Sequence, residues 1–195
     1  MRTNKVILLC GTRGTGKTDY LKNMLFKVKD VFPKVLVVDT FDSDVWRNLE
    51  THDHPERVNH PVPVIPLEKL SSWKNGVARI FSSDTDVMMD KIQRDLKNTF
   101  IIFEDATKYI GSKLTTDVRK FVLDSKQKNL DLVFVFHSLM AIPPELIRIS
   151  DILILFKTND AKLPAKYDSW PDIDKIRDQV KKSANRYENK AIELN

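Results

Sequence analysis

Residues 11–18 read GTRGTGKT, which places Gly11, Gly16, Lys17 and Thr18 at every fixed position of the pattern G-x-x-x-x-G-K-[ST]. Glycines at this spacing let backbone N–H groups turn inward onto phosphate oxygens, and the positive end of a following helix adds to the attraction. The lysine then reaches the β- and γ-phosphates, and the threonine hydroxyl is placed for Mg²⁺. Gly11, Thr12, Arg13, Gly14, Thr15, Gly16, Lys17, Thr18 and Asp19 are therefore the expected contacts of a bound nucleoside triphosphate, ATP in the first instance.

Such a loop needs a carboxylate for the magnesium shell and, if water is the nucleophile, a second one to activate it. The run TFIIFED delivers Glu104 and Asp105 together to the end of an apolar segment. Adjacent acids at a strand end point in different directions and can divide the work. Glu104 is assigned to the metal shell with Thr18, and Asp105 to polarising the attacking water, with the reverse division open. A third run, LVFVFHS, ends on His137 and Ser138, so a polar tip at His137 is placed either to sense the γ-phosphate or simply to terminate its strand. Asp39, closing KVLVVDT, reads as a supporting acid or a turn cap. His52, His54 and His60 lie in an irregular stretch without an accompanying cysteine, which argues against a metal there.

These residues must be held by a framework, and the apolar runs supply one. VILLC (6–10), KVLVVDT (34–40), GVARIF (76–81), TFIIFED (99–105), LDLVFVFHS (130–138) and DILILFK (151–157) read as strands buried on both faces. Helical spacing over 18–31, 86–96 and 115–128 falls between them, the last opening on Thr115 or Thr116 as a cap. Alternating strands and helices predict an α/β fold with a parallel sheet sandwiched by helices. Residues 1–160 form the expected nucleotide-binding domain. Within it, 41–75 is rich in proline and breaks the rhythm as an extended insertion, with a short helix expected near 45–50. Residues 161–195 read as a basic tail containing Pro164 and Pro171, with a lysine-rich helical pattern over 172–193.

At 195 residues the chain suits one domain with a tail, and its net charge of +5 is only a mild bias toward anionic partners. No apolar run approaches the roughly 18 residues of a membrane span. The basic start leads directly into the first strand and is not a signal peptide. One cysteine, Cys10, excludes an internal disulfide framework and fits a reducing cytoplasm.

Four nucleotide-binding classes compete. A guanine-nucleotide switch needs N-K-x-D, whereas FKTNDAK (156–162) offers Asn159 and Asp160 without the lysine spacing. A small-molecule kinase usually carries an arginine-rich lid, and here the arginines are scattered. A nucleotide-binding regulator would show no mechanical output. The apolar runs fit best a P-loop ATPase of the additional-strand, RecA-like type, in which one strand separates the loop strand from the acidic strand.

Taken together, GTRGTGKT, FIIFEDA, LDLVFVFHSL and IPPELIRISDILILFKTND resemble the FtsK–HerA superfamily of DNA-pumping ATPases, in particular the viral and phage packaging ATPases and the zonular-occludens-toxin-like phage proteins. The resemblance covers residues 6–160. Two departures are visible: Glu104 precedes Asp105 where the family commonly has aspartate first, and the polar tip is His137 rather than glutamine or asparagine. The resemblance implies a homo-oligomeric ring of five or six subunits, with ATP at the interfaces and double-stranded DNA through the centre. It also implies an arginine reaching a neighbour's γ-phosphate, for which Arg119 and Arg148 are the candidates, with Lys126 and Lys128 behind them. Lys108, Lys113, Lys120 and Tyr109 form the expected DNA-facing surface. A packaging motor of this kind would work in the host cytoplasm or on the virion, against a viral portal or capsid vertex; a DNA-transfer role like that of the zonular-occludens-toxin-like proteins is the alternative.

Overall fold

The apolar runs form six parallel strands in the computed structural model, which describes residues 4–161, 163–168, 170 and 172–193. They are β1 (Val6–Cys10), β2 (Lys34–Val38), β3 (Gly76–Ile80), β4 (Thr99–Phe103), β5 (Leu130–Phe136) and β6 (Ile152–Phe156). A seventh, β7 (Asn189–Glu193), pairs antiparallel with β6. The order across the sheet is β3-β2-β4-β5-β1-β6-β7, so β5 lies between the loop strand β1 and the acidic strand β4.

Register decides which residues share an edge. Cys10 pairs with Phe136, and Phe103 pairs with both Phe134 and Val38. The ladder runs one residue past the strands: Gly11 N donates to Phe136 O at 3.1 Å and Glu104 N to Val38 O at 3.0 Å. Gly11, Glu104 and His137 thereby emerge together at the carboxyl edge, where open α/β sheets bind ligands.

Side-chain alternation along the strands divides the core in two. Val6, Leu8 and Cys10 enter one layer. That layer is covered by α2 (Thr85–Asp95), α3 (Thr116–Lys128), α4 (Pro144–Ile149) and the first turn of α5 (Ile173–Lys182). Ile7 and Leu9 enter the other, covered by α1 (Lys17–Val28) and by Trp46, Leu49 and Val62 of the insertion. Caps fix the helix starts: the Thr115 side chain accepts from Val118 N, as the sequence predicts, and that of Asp84 accepts from Val87 N.

Two segments differ from the sequence reading. The helix expected near 45–50 is a single 3₁₀ turn at Asp44–Trp46, because the chain is bent there by hydrogen bonds to side chains. The Asp39 carboxylate accepts from Thr40 N at 2.8 Å and Ser43 N at 3.3 Å, while Arg79 bonds Ser43 O and Asp42. The insertion does the work of a covering helix through buried apolar side chains. Trp46→Ala is expected to destabilise the protein by about 3–5 kcal/mol, the range for emptying a buried tryptophan site, measurable by denaturant unfolding; a loss below about 1 kcal/mol would mean that the insertion is not part of the core.

The helical pattern over 172–193 is helix only to Lys182. Beyond it Asn185 N donates to Ser183 Oγ at 3.2 Å and Tyr187 N to Asn185 Oδ1 at 2.9 Å, turning the chain back along β6. Short polar side chains compete with helix by such local bonds. Tyr167, Trp170 and Ile173 pack on the same core as β1, so residues after 160 contribute to its closure. Pro171 lies outside the described residues.

Candidate active site

The loop after β1 is shaped by its glycines and its own hydrogen bonds. A Cβ on Gly11 would lie 2.5 Å from Phe156 Cβ, and Gly14 and Gly16 adopt φ of 74° and 85°. Only glycine takes those conformations readily. Thr12 N donates to Lys157 O at 2.9 Å, and Thr15 Oγ1 to Thr12 O at 2.8 Å. The loop then opens α1, whose first N–H groups have no intrahelical partner.

Lys17 is buried, and its ammonium donates to the carbonyls of Gly11 at 2.6 Å and Thr12 at 2.9 Å. It also lies 3.3 Å from His137 Nδ1. Burial, and next the Lys17 charge, holds the imidazole below its ordinary range. An ammonium can only donate, so Nδ1 is the acceptor in this contact. His137 is therefore tied to the loop lysine, Lys17, whichever of its two readings applies.

Across from this loop, Thr18 Oγ1 faces Glu104 Oε1 at 3.5 Å. The other oxygen, Oε2, is buried without a hydrogen-bond partner. Burial, followed by the neighbouring Asp39 carboxylate, pushes the Glu104 carboxyl up to about 7. An unpartnered carboxylate oxygen beside a threonine hydroxyl is a donor set suited to a hard divalent cation. The residues present therefore fit Mg²⁺, with Thr18 and Glu104 as the side chains that would hold it. Asp105 takes a left-handed conformation, φ 48°, directly after Glu104. Its Oδ1 accepts from Thr107 Oγ1 at 2.5 Å. Asp105 lines a cleft shared with Arg13, Thr18, Glu104 and His137. Asp39 is buried beneath, 3.6 Å from the Arg79 guanidinium, and acts as a turn cap and support.

A second cleft of about 400 Å³ joins Arg13, Gly14, Gly16, Lys17 and Thr18 to Asp19, Glu104 and His137. Asp19 Oδ2 also accepts from His52 N at 3.5 Å, which ties the loop to the insertion. Arg119 and Arg148 are not among the residues that line either cleft. Arg119 lies exposed on α3, 4.0 Å from Glu145, and Arg148 is exposed on α4. Lys108, Lys113 and Lys120 are exposed, but Tyr109 is not a surface aromatic. Its hydroxyl donates to the Asp39 carbonyl at 2.9 Å, and its ring packs edge-on against Phe103. The three insertion histidines are dispersed: His52 pairs with Asp53, His54 with Glu56, and His60 lies edge-on to Phe26. Among the described residues no group of three or more His, Cys, Asp or Glu is placed to hold a metal.

Two residues at this site escape a reading of the sequence. Arg186 and Tyr187, in the turn between α5 and β7, line the same cleft as Lys17 and Thr18. Their proximity to the loop depends on β7 folding back along β6, a non-local pairing with no sequence motif.

No family model matches the chain, and no curated protein matches it in sequence. Solved structures do match its fold. The genome packaging NTPase B204 from Sulfolobus turreted icosahedral virus 2, in complex with sulfate, superposes with a TM-score of 0.77 at 14% identity, covering 100% of this chain and 94% of that one. The DNA-packaging ATPase B204 from Sulfolobus turreted icosahedral virus gives a TM-score of 0.70 at 11% identity, over 99% and 98% of the two chains. The N-terminal domain of zonular occludens toxin from Neisseria meningitidis gives 0.50 at 12% identity, over 80% and 78%. Six parallel strands, with β5 between the loop strand and the acidic strand, give this chain the additional-strand P-loop NTPase fold, which it shares with the viral packaging NTPases and the zonular occludens toxin domain, in keeping with the FtsK–HerA resemblance of its motifs.

Proposed function

We propose that the chain is an ATP-hydrolysing DNA translocase, a subunit of a viral genome-packaging motor that acts as a ring of five or six copies. The observation that carries this reading is the placement of Lys17 and Thr18 opposite Glu104, with His137 between them, at one carboxyl edge of the sheet. The full-length fold likeness to B204, which has been crystallised with ATP-gammaS, supports the nucleotide and the packaging role. Among the described residues no helix is long and apolar enough to cross a membrane.

In this reading the loop amides and Lys17 hold the triphosphate in line and draw charge from its β- and γ-phosphates. Thr18 and Glu104 would hold Mg²⁺, which when bound would neutralise part of the phosphate charge. Asp105 accepts a hydrogen bond from the attacking water and orients it. Arg119 or Arg148 reaches a neighbour's γ-phosphate across the ring, which agrees with their exposure and with other residues lining the clefts of their own chain. The exposed Lys108, Lys113 and Lys120 contact DNA phosphates without reading sequence.

The test is phosphate release from ATP measured with and without double-stranded DNA, alongside light scattering with an ATP analogue. Turnover that rises with DNA and a particle of several subunits are expected. Phosphate passed to a small acceptor, or a monomer under every condition, would favour the kinase or regulator reading instead. Stimulation by DNA without capsid-dependent movement would favour the zonular-occludens-toxin-like alternative.

A further inference from the structure

The turn that β7 brings back over the loop carries two side chains suited to a nucleotide. Arg186 rests its guanidinium against Gly14, in space that a Cβ would occupy. Tyr187 lies over Gly16, where a Cβ would come within 2.8 Å of the ring carbon Cδ1. Both line the phosphate cleft together with Lys17 and Thr18.

A neighbouring cleft of about 220 Å³ shares Gly16, Asp19 and Tyr187 with the phosphate cleft. Tyr20 and Phe156, edge to face with ring centroids 5.5 Å apart, form its apolar floor. Tyr187 forms a wall, and the amides of Asn23 and Asn189 stand at the margin. Lys17 fixes the polarity of a bound triphosphate, with its β- and γ-phosphates toward Glu104 and His137. The α-phosphate and nucleoside then lead toward Asp19, into this second cleft. An apolar floor, an aromatic wall and polar amides at the rim are the features of a small-ligand subsite.

The turn is built before any ligand arrives. Lys157 Nζ donates to Ser183 O at 2.5 Å, Tyr187 N to Asn185 Oδ1 at 2.9 Å and Asn189 Nδ2 to Tyr187 O at 3.2 Å. Asn189 is also paired with Phe156 in the β6–β7 ladder. Tyr187 remains 58% exposed, which leaves its ring free to be covered by a ligand. The backbone of the turn is thus held in place without a ligand, which lessens the conformational entropy lost on binding.

We propose that this turn is a clamp closing on the nucleotide within the same chain, Arg186 taking phosphate charge and Tyr187 packing against the nucleobase. The inference rests on the triphosphate site proposed above and adds the part that recognises the nucleoside. It makes β7 a positioning element and places base discrimination between Tyr187 and the two asparagines.

The experiment is equilibrium binding of Mg·ATP, Mg·GTP and Mg·tripolyphosphate to the full chain by titration calorimetry. Tyr187→Ala is expected to weaken ATP about tenfold, the scale of a lost base–aromatic stack, and to leave tripolyphosphate unchanged within about twofold; Tyr187→Phe should restore ATP binding. Arg186→Ala should weaken ATP and tripolyphosphate alike, by about tenfold, the scale of a lost charge-assisted contact. Each variant is compared with wild type by thermal unfolding. Arg57→Ala, which removes the 2.5 Å partner of Asn23 Oδ1, should alter the ATP-to-GTP ratio if the fold-preserving variants show the clamp. ATP binding that Lys17→Ala removes but Tyr187→Ala and Arg186→Ala leave intact would overturn the clamp alone. Wild-type protein that binds neither ATP nor tripolyphosphate would overturn the clamp and the triphosphate site together.

Discussion

Lys17→Ala abolishes useful ATP turnover, lowering it by about 10²–10³-fold, the scale on which loss of one aligned donor to developing charge is felt. The ammonium in the free protein is bonded to the Gly11 and Thr12 carbonyls and touches His137. These contacts keep a buried cation partnered and hold it at the end of the loop until phosphate oxygens replace the carbonyls. Burial lowers its proton affinity, and Glu104 is the largest influence raising it again. Alanine removes the charge and leaves both the phosphates and the Glu104 carboxylate without their counterion. Phosphate release and nucleotide titration measure the effect; turnover within about threefold of wild type would contradict the role given to the loop.

The acid pair gives the second large effect. Asp105→Asn should bind Mg·ATP with near-normal affinity and hydrolyse it about 10²–10⁴-fold more slowly, as loss of a general base does. Glu104→Gln should lose Mg²⁺-dependent nucleotide affinity as well as turnover. If the two variants exchange these phenotypes, the division of work between the acids is reversed. Glu104→Gln carries a further signature in nucleotide-free protein with chelator present. The Glu104 carboxyl is raised from its ordinary 4.5 to about 7, so between these values the folded chain retains a proton that the unfolded chain has lost. Stability then falls as pH rises through this window. The burden is absent below the lower value and complete above the upper one. Glu104→Gln should therefore raise the melting temperature at pH 8 and change it little at pH 4. An equal shift at both pH values would mean that the buried charge is not responsible.

Much of the framework is legible because its signals are local. Continuous apolar runs of about five residues are what strands buried on both faces require, and the glycine spacing after the first of them leaves little choice of loop. Glu104 and Asp105 could be placed at the carboxyl edge of the sheet, across β5 from the glycine loop, because strand order in such sheets follows from a few topological rules. The C-terminal segment was not legible for the opposite reason. In NKAIE only Ile192 is buried, since an edge strand packs one face and pairs one side. Its lysine and glutamate continue the helical composition of α5, and the turn that ends the helix is made by Ser183 and Asn185 side chains. Arg186 and Tyr187 reach the loop only through that non-local pairing. Tyr109 reads as a surface aromatic between lysines, yet its hydroxyl satisfies the Asp39 carbonyl under the site.

The most direct measurement is a crystal structure with Mg²⁺ and a non-hydrolysable ATP analogue. The γ-phosphate is predicted to displace the Gly11 and Thr12 carbonyls from Lys17, with the cation between Thr18 and Glu104 and Asp105 facing the terminal phosphate. A terminal phosphate directed toward Asn23 and His52, away from both acids, would contradict hydrolysis at this edge of the sheet.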